Sequence, residues 1–170
     1  METTTKFSTR ALTRAGIIAA LYVALTYLAG LMNLAYGPVQ FRFSEALTVL
    51  PFLFPEAIPG LFIGCIISNI ISPYGVLDLV IGSAATLLAA FWTNRSRSRY
   101  FAPMPPVVAN AVLVGAMLAW YEAGFGAGFL PAFAYNALTV GAGELLVCYA
   151  LGLPLLRVLE TRIAGSKQSD

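Results

Sequence analysis

Three observations predict an all-α membrane protein, a bundle of six transmembrane helices. Of 170 residues, 59% are hydrophobic and only 11% are charged, whereas soluble domains average about 25% charged residues. The mean hydropathy is +0.80. Several apolar stretches have the length that crosses a bilayer, with short polar breaks between them. We expect one transmembrane domain over residues 1–170, with cytoplasmic tails at 1–11 and 158–170.

Proline, glycine and charged residues mark the ends of the predicted helices. The basic N-terminus could be mistaken for a signal peptide, but more membrane helix follows it, so we interpret it as the start of a retained first span. The second and third spans are short, because Pro51, Pro55 and Pro59 interrupt any longer helix. The first two spans are predicted at 12–33 and 44–54. The third follows a break at 55–59 and ends at 71, and the fourth follows a turn at 73–75 and ends at 93. The fifth and sixth are predicted at 105–121 and 131–156.

The distribution of basic residues favours six spans over five. With six spans and a cytoplasmic N-terminus, nine of the ten lysines and arginines are cytoplasmic, as the positive-inside rule expects. Five spans would move Arg95, Arg97 and Arg99 to the outside. Both termini are therefore predicted to be cytoplasmic. Arg42 is then the one basic residue on the outer side, so it needs a local partner or a ligand.

Polar side chains from several spans are predicted to converge in the outer half of the bundle. Charge in or beside hydrocarbon is costly, so such residues usually face a cavity or a partner. The pattern indicates a polar, largely preformed substrate pocket that opens outward, with hydrogen-bonding groups and aromatic rings in its wall. The candidate residues are Gln40, Arg42, Glu45, Asn69, Asp78, Trp120, Tyr121, Asn136 and Glu144, with Asn110 from the inner half.

Most of the candidates also have a purely structural explanation. Arg42 and Glu45 have i, i+3 spacing and could pair on the helix surface, and Asp78 could interact with a helix dipole. The asparagines could hydrogen-bond neighbouring helices together, and the aromatic pair that ends the fifth span could belong to an interfacial belt. Glu144 has no adjacent basic residue, so it is either protonated or in contact with something polar.

Small residues repeat along the first predicted helix. Gly16, Ala20 and Ala24 recur every four residues, with Ala15 and Ala19 alongside. Such rows let another helix approach closely. The row either packs within the bundle or docks onto a separate membrane partner.

Several classes of function are disfavoured by what the sequence lacks. It has no histidine, and its two cysteines, Cys65 and Cys148, stand outside any CxxC pattern, so they are predicted to be buried small hydrophobic residues. It contains neither the GxxxxGK[ST] loop of nucleotide-binding proteins nor a hydrolytic motif. We therefore expect no enzyme activity, no cofactor and no bound metal. The net charge of +2 does not indicate a nucleic-acid partner.

Five motifs lead to a family resemblance. They lie at 40–51 (QFRFSEALTVLP), 59–65 (PGLFIGC), 75–78 (GVLD), 82–90 and 143–152. On these motifs the chain resembles the QueT family, the membrane substrate-binding subunits (S components) of energy-coupling factor (ECF) transporters. The resemblance implies a bacterial plasma membrane protein that captures a queuosine precursor, a 7-deazaguanine base, from outside. It also implies a transmembrane coupling subunit and two cytoplasmic ATPases as partners, with Gly16, Ala20 and Ala24 as the docking surface.

Such a ligand suits the candidate residues chemically. Its N1–H and 2-amino groups are adjacent donors that one carboxylate can accept together, as Glu45, Asp78 or Glu144 would; Arg42, Gln40 or an asparagine amide would donate to O6. An aminomethyl precursor is cationic, so a second carboxylate would be useful, and tyrosine or tryptophan rings would stack on the base. The alternatives are an S component for another vitamin or nucleobase, an autonomous secondary carrier and, less favoured, a membrane enzyme.

Overall fold

The computed structural model describes residues 8–35 and 40–166, and every regular element in these ranges is helical. The α-helices are α1 (Thr9–Leu31), α2 (Ala57–Asn69), α3 (Ser83–Asn94), α4 (Met104–Ala123), α5 (Phe129–Val147) and α6 (Leu153–Ser166). A 3₁₀ helix covers Phe43–Phe52, and two π-helical turns cover Asp78–Gly82 and Cys148–Gly152. Residues 36–39, which lie between the first two predicted spans, and two of the basic residues counted as cytoplasmic, Lys6 and Lys167, lie outside the described residues.

Among the described residues, three helices are long and apolar enough to cross a membrane. They are Thr9–Leu31, Met104–Ala123 and Phe129–Ala164, the last of which runs through α5, a π turn and α6. The predicted all-helical membrane class is thereby confirmed, whereas the number of spans and the side of each terminus stay predictions. The helix that contains the last predicted span extends beyond 156, because α6 continues as far as Ser166, and the membrane boundary of that span stays a prediction.

The second predicted span is a 3₁₀ helix instead of an α-helix. Its 10 residues rise about 2 Å each, so it reaches roughly 20 Å, less than a bilayer core of about 30 Å. It contacts α1, α2, α3, α5, α6 and the Cys148–Gly152 turn, and residues 44–51 are all buried. A short helix is possible at this position because the surrounding helices shield its backbone from lipid.

Each π turn begins at a buried polar residue and ends at a glycine. The first runs from Asp78 to Gly82 and leads into α3, and the second runs from Cys148 to Gly152 between α5 and α6. A Cβ on Gly152 would lie 3.0 Å from the side chain of Val49, so this glycine lets α6 pack closely on the 3₁₀ helix. Such π turns inside α-helices are frequent at functional sites.

Helices α1 and α2 pack through small residues at close range. A Cβ on Gly60 would lie 2.6 Å from the carbonyl oxygen of Ala15, and one on Gly64 would lie 3.0 Å from that of Ala19. Without a hydrophobic driving force in lipid, such close contact stabilises a helix pair through van der Waals packing. Ala15 and Ala19 therefore pack against α2, and Ala19 also lines a groove together with Gly16, Ala20 and Ala24; their role in partner docking stays a prediction.

We expect Gly60→Ala to destabilise the protein, because its added methyl group would overlap the α1 backbone at Ala15. Overpacking of this kind typically costs ~1–3 kcal/mol. The matched control is Gly16→Ala, since nothing lies within 4 Å of the Cβ position at Gly16. Thermal unfolding in detergent measures both variants. Equal melting temperatures for the two would show that α1 and α2 are not in close contact at Ala15.

Candidate substrate site

Arg42 is buried and forms an ion pair with Asp78. The two side chains are 7% and 1% exposed, and Arg42 Nη2 lies 3.0 Å from Asp78 Oδ2. Arg42 also donates from Nη1 to Asn69 Oδ1 at 3.2 Å and from Nε to the carbonyl of Ala35 at 3.3 Å. The structure thus gives Arg42 a buried partner on another helix, in place of the surface pair with Glu45 that the spacing allowed.

Asp78 is held by neighbouring side chains as well as by Arg42. Ser72 donates its hydroxyl to Asp78 Oδ2 at 2.6 Å, and Asn69 Nδ2 donates to the Asp78 carbonyl at 3.0 Å. Gly82 makes room for the carboxylate, since a Cβ there would lie 2.5 Å from Asp78 Oδ1. Asp78 also lies in the first turn of its helical element, where a helix dipole favours a carboxylate. The carboxylate therefore combines an ion pair to Arg42 with a position at a helix start.

Glu45 lies in the first turn of the 3₁₀ helix and is 2% exposed. Tyr22 of α1 donates its hydroxyl to Glu45 Oε1. The other oxygen, Oε2, is buried and has no hydrogen-bond partner among the described residues. The Glu45 carbonyl accepts from Thr48 Oγ1 at 2.6 Å. One carboxylate oxygen of Glu45 is therefore available to a donor from a ligand.

Glu144 of α5 is 6% exposed, and its hydrogen-bond contacts among the described residues are with neutral groups. Asn110 Nδ2 of α4 donates to its Oε1 at 2.9 Å, and the Cys148 thiol lies 3.6 Å from its Oε2. The same sulfur lies 3.5 Å from the carbonyl oxygen of Glu45, so Cys148 connects the two glutamates. Cys65 and Cys148 are buried and free, as predicted, but Cys148 is also a hydrogen-bonding member of this site.

The backbone of Gln40 packs against α5 beside Glu144. A Cβ on Gly143 would lie 2.1 Å from the carbonyl oxygen of Gln40, so the glycine lets this segment rest directly on α5, one residue from Glu144. Gln40 is 6% exposed, and its Nε2 has no hydrogen-bond partner among the described residues. Segment 40–45 thus joins the Arg42 ion pair to the two glutamates. We call the group the buried polar cluster, and its predicted members are Gln40, Arg42, Glu45, Asn69, Asp78, Asn110 and Glu144.

Asn136 is buried but has different partners. It donates to Glu122 Oε2 and to the Ala132 carbonyl, both at 3.0 Å. The first bond joins the end of α4 to α5. Glu122, which the sequence did not single out, is therefore a partner of Asn136.

Trp120 and Tyr121 lie at the end of α4 with exposed side chains. Tyr121 packs edge-to-face on Tyr74, with ring centroids 5.3 Å apart. Trp120 lines an apolar groove of about 480 Å³ together with Phe125 and Phe129. Among the described residues, this aromatic pair makes no direct hydrogen bond or ring contact to the buried polar cluster, which fits their interpretation as an interfacial belt.

Three further residues contact the buried polar cluster, and the sequence did not predict them as site residues. Tyr22, Thr48 and Cys148 each contact Glu45 or Glu144 through a hydrogen bond. Tyrosine, threonine and cysteine are common in apolar helices, so their type carries no signal. Only their position beside a buried carboxylate reveals a role.

The buried charges of the described residues do not balance. Three carboxylates (Glu45, Asp78 and Glu144) are buried, and Arg42 is the one buried basic residue in the described ranges. No group of His, Cys, Asp or Glu in these ranges is arranged to hold a metal ion. The cluster is therefore suited to a ligand that donates hydrogen bonds.

The small residues of α1 divide between two faces. Gly16, Ala20 and Ala24 are exposed, and they line a shallow groove of about 590 Å³ beside Ile67 of α2. We call this surface the α1 face. Its flat, small-residue character lets another helix approach closely.

Comparison with known proteins identifies the family of the chain. A family model described as QueT transporter matches residues 12–161. The chain belongs to the QueT transporter family. A relative named "Queuosine precursor transporter QueT", from Lactococcus lactis subsp. cremoris (strain MG1363), is 40% identical over 89 residues, which are 50% of this chain and 52% of the relative. The chain thus spans about half the length of this curated relative. No solved structure matches the chain significantly.

Proposed function

We propose that this QueT family member is the S component of an ECF importer and that it binds a queuosine precursor, a 7-deazaguanine base, at the buried polar cluster. Family membership and the printed name of the relative support the choice of substrate. The observation that carries the assignment to this site is the pair of buried glutamates, Glu45 and Glu144, which have hydrogen-bond donors but no basic partner within 4.0 Å among the described residues.

The cluster has the groups that such a base requires. Glu45 accepts the N1–H and 2-amino donors of the base, since its Oε2 has no other partner in the described ranges. Gln40, whose Nε2 is also unengaged there, donates to O6. Arg42 and Asp78 are assigned to holding the 3₁₀ helix in position because their charges are paired, although Asp78 Oδ1 also has no hydrogen-bond partner in the described ranges. This divides the candidate residues into ligand-binding and supporting groups.

Access to the site requires a conformational change. Glu45 and Glu144 are 2% and 6% exposed, so a base of this size reaches them only if the surrounding elements separate. The contact of Gln40 with Gly143 is the place where segment 40–42 lies on α5. Opening at this contact admits the ligand, and closing it removes the ligand from water.

The proposed topology has six spans with both termini in the cytoplasm of a bacterial cell, in its plasma membrane. The positive-inside count supports it, and six helical stretches separated by turns are consistent with it. The α1 face docks onto the transmembrane coupling subunit, and two cytoplasmic ATPases supply the energy. This chain itself is then a binding subunit and not an enzyme.

Binding by the purified protein tests the proposal. We expect calorimetry to detect binding of a 7-deazaguanine base but not of an unrelated vitamin such as thiamine. Glu45→Gln should weaken binding about tenfold or more, because losing a buried polar partner costs ~1–3 kcal/mol. Glu160→Gln, which alters an exposed pair with Arg99, is the control. Binding of another vitamin or nucleobase alone would favour a different S component, and ion-driven transport by this chain alone in liposomes would favour a secondary carrier.

The α1 face gives a separate prediction. Ala20→Leu should prevent assembly with the coupling subunit and leave binding of the base unchanged, because Ala20 is exposed and lines the α1 groove. Val112→Leu on the exposed surface of α4 is the control and should assemble normally. Co-purification with the coupling subunit measures both. Normal assembly of Ala20→Leu would exclude this face as the docking surface.

A further inference from the structure

The buried polar cluster contains more negative than positive groups. Among the described residues, Glu45, Asp78 and Glu144 are buried acids and Arg42 is the buried base. Burying an uncompensated charge is costly, so an ionised carboxylate away from water needs a cation or several strong donors. The excess of acidic over basic groups in the cluster therefore favours a ligand that supplies positive charge or several strong donors.

Asp78 does not contribute to the excess. Arg42 Nη2 lies 3.0 Å from its Oδ2, and the Ser72 hydroxyl donates to the same oxygen. The pair is neutral as a unit. The buried acidic groups without a basic partner in the described ranges are thus Glu45 and Glu144.

Glu45 and Glu144 receive only neutral donors from the described residues. The hydroxyl of Tyr22 donates to Glu45, and the amide of Asn110 and the thiol of Cys148 donate to Glu144. The Cys148 sulfur lies 3.6 Å from Glu144 Oε2 and 3.5 Å from the backbone carbonyl oxygen of Glu45, so the two glutamates adjoin the same side chain.

The two glutamates differ in the hydrogen bonds that they can still accept. Glu45 has one oxygen without a partner and one that accepts a single hydroxyl, which suits the paired N–H donors of a guanine-like edge. Glu144 Oε1 accepts from Asn110, while its Oε2 competes with the Glu45 carbonyl for the one proton of the Cys148 thiol, so Glu144 keeps capacity for a charged donor. In a 7-deazaguanine, a substituent on C7 lies on the five-membered ring, far from the 2-amino group. The two ends of such a ligand therefore need two separate acceptors.

We infer that the site selects cationic 7-deazaguanine bases, those with a protonated amine on the C7 substituent, over neutral ones. Glu45 accepts the N1–H and 2-amino edge, and Glu144 is the counter-ion of the ammonium group. The inference rests on the proposed function and adds to it the charge of the preferred precursor. An aminomethyl base fits this description, and a nitrile base does not.

Binding of three matched ligands tests the inference without any substitution. We would compare the aminomethyl base, its N-acetylated neutral derivative and the nitrile base by calorimetry on the purified full-length protein. The cationic base should bind at least about tenfold more tightly than either neutral one. Equal affinities would overturn the inference while leaving the proposed function standing. Binding of none of the three would instead contradict the proposed function.

Two near-isosteric variants then separate the roles of the glutamates. Glu144→Gln should weaken only the cationic base, reducing its preference to near unity, whereas Glu45→Gln should weaken all three bases alike. Melting temperatures identify any variant that is not folded. Equal weakening of all bases by Glu144→Gln would show that Glu144 does not act as the counter-ion. If that variant does not fold, the comparison of ligands on the unaltered protein decides.

Discussion

Arg42→Ala is expected to be among the most destabilising single substitutions in this protein. The change leaves Asp78 buried with a hydroxyl from Ser72 but without its basic partner. Removing one member of a buried ion pair typically costs ~3–5 kcal/mol, because the remaining charge is uncompensated. Arg42 also donates to Asn69 of α2 and to the Ala35 carbonyl, and these bonds are lost as well. Thermal or denaturant unfolding in detergent measures the effect.

The exposed ion pair between Arg14 and Glu56 is the matched control. Its N···O distance is 2.7 Å, but the Arg14 side chain is 54% exposed, so Arg14→Ala should cost at most about 1 kcal/mol. The hydrogen bond from Arg14 lowers the pKa of Glu56. The small stabilisation from this ion pair is therefore fully present above the ordinary pKa of a glutamate. It is lost as the pH falls through the lowered pKa of Glu56. Similar losses of unfolding free energy for Arg42→Ala and Arg14→Ala would contradict a buried ion pair between Arg42 and Asp78.

Gly143→Ala is expected to have the second large effect. Its Cβ would lie 2.1 Å from the carbonyl oxygen of Gln40 and 3.0 Å from the adjoining carbon, so the backbone of one segment must move. Overpacking costs ~1–3 kcal/mol and occasionally more, and a contact with backbone is harder to relieve than one with a flexible side chain. Because Gln40 and Glu144 adjoin this contact, binding of the base should weaken together with stability.

Gly141→Ala is the control on the same helix. A Cβ there would lie 3.2 Å from the methyl group of Ala111, a contact that a small shift can relieve. We expect its melting temperature and affinity to stay close to those of the unaltered protein. If Gly143→Ala behaved in the same way, segment 40–42 would not rest on α5 as the structure shows.

The sequence predicted most of the helical organisation, because proline, glycine and charge interrupt apolar segments at recognisable places. It did not predict the 3₁₀ helix at Phe43–Phe52. An α-helix and a 3₁₀ helix differ by one residue in their hydrogen-bond spacing, and an apolar segment with Pro51 inside is compatible with either. The π turns were missed for the same reason, since they are local changes within helices that are otherwise continuous.

The candidate site was predicted in its residue types more than in its contacts. The expectation that Arg42 needs a partner followed from charge, but its partner, Asp78, depends on how α2, α3 and the 3₁₀ helix pack. The row of small residues on α1 shows the same limit. Ala15 and Ala19 face α2 while Gly16 and Ala20 do not, and only the rotation of the helix decides between these adjacent faces.

A structure of the protein with a bound aminomethyl 7-deazaguanine base tests the central claim most directly. The account predicts that the base lies within hydrogen-bond distance of Glu45 and Glu144, with the Arg42–Asp78 ion pair intact beside it. A base bound in the apolar groove beside Trp120 and Phe129, with both glutamates still paired only to Tyr22, Asn110 and Cys148, would contradict it.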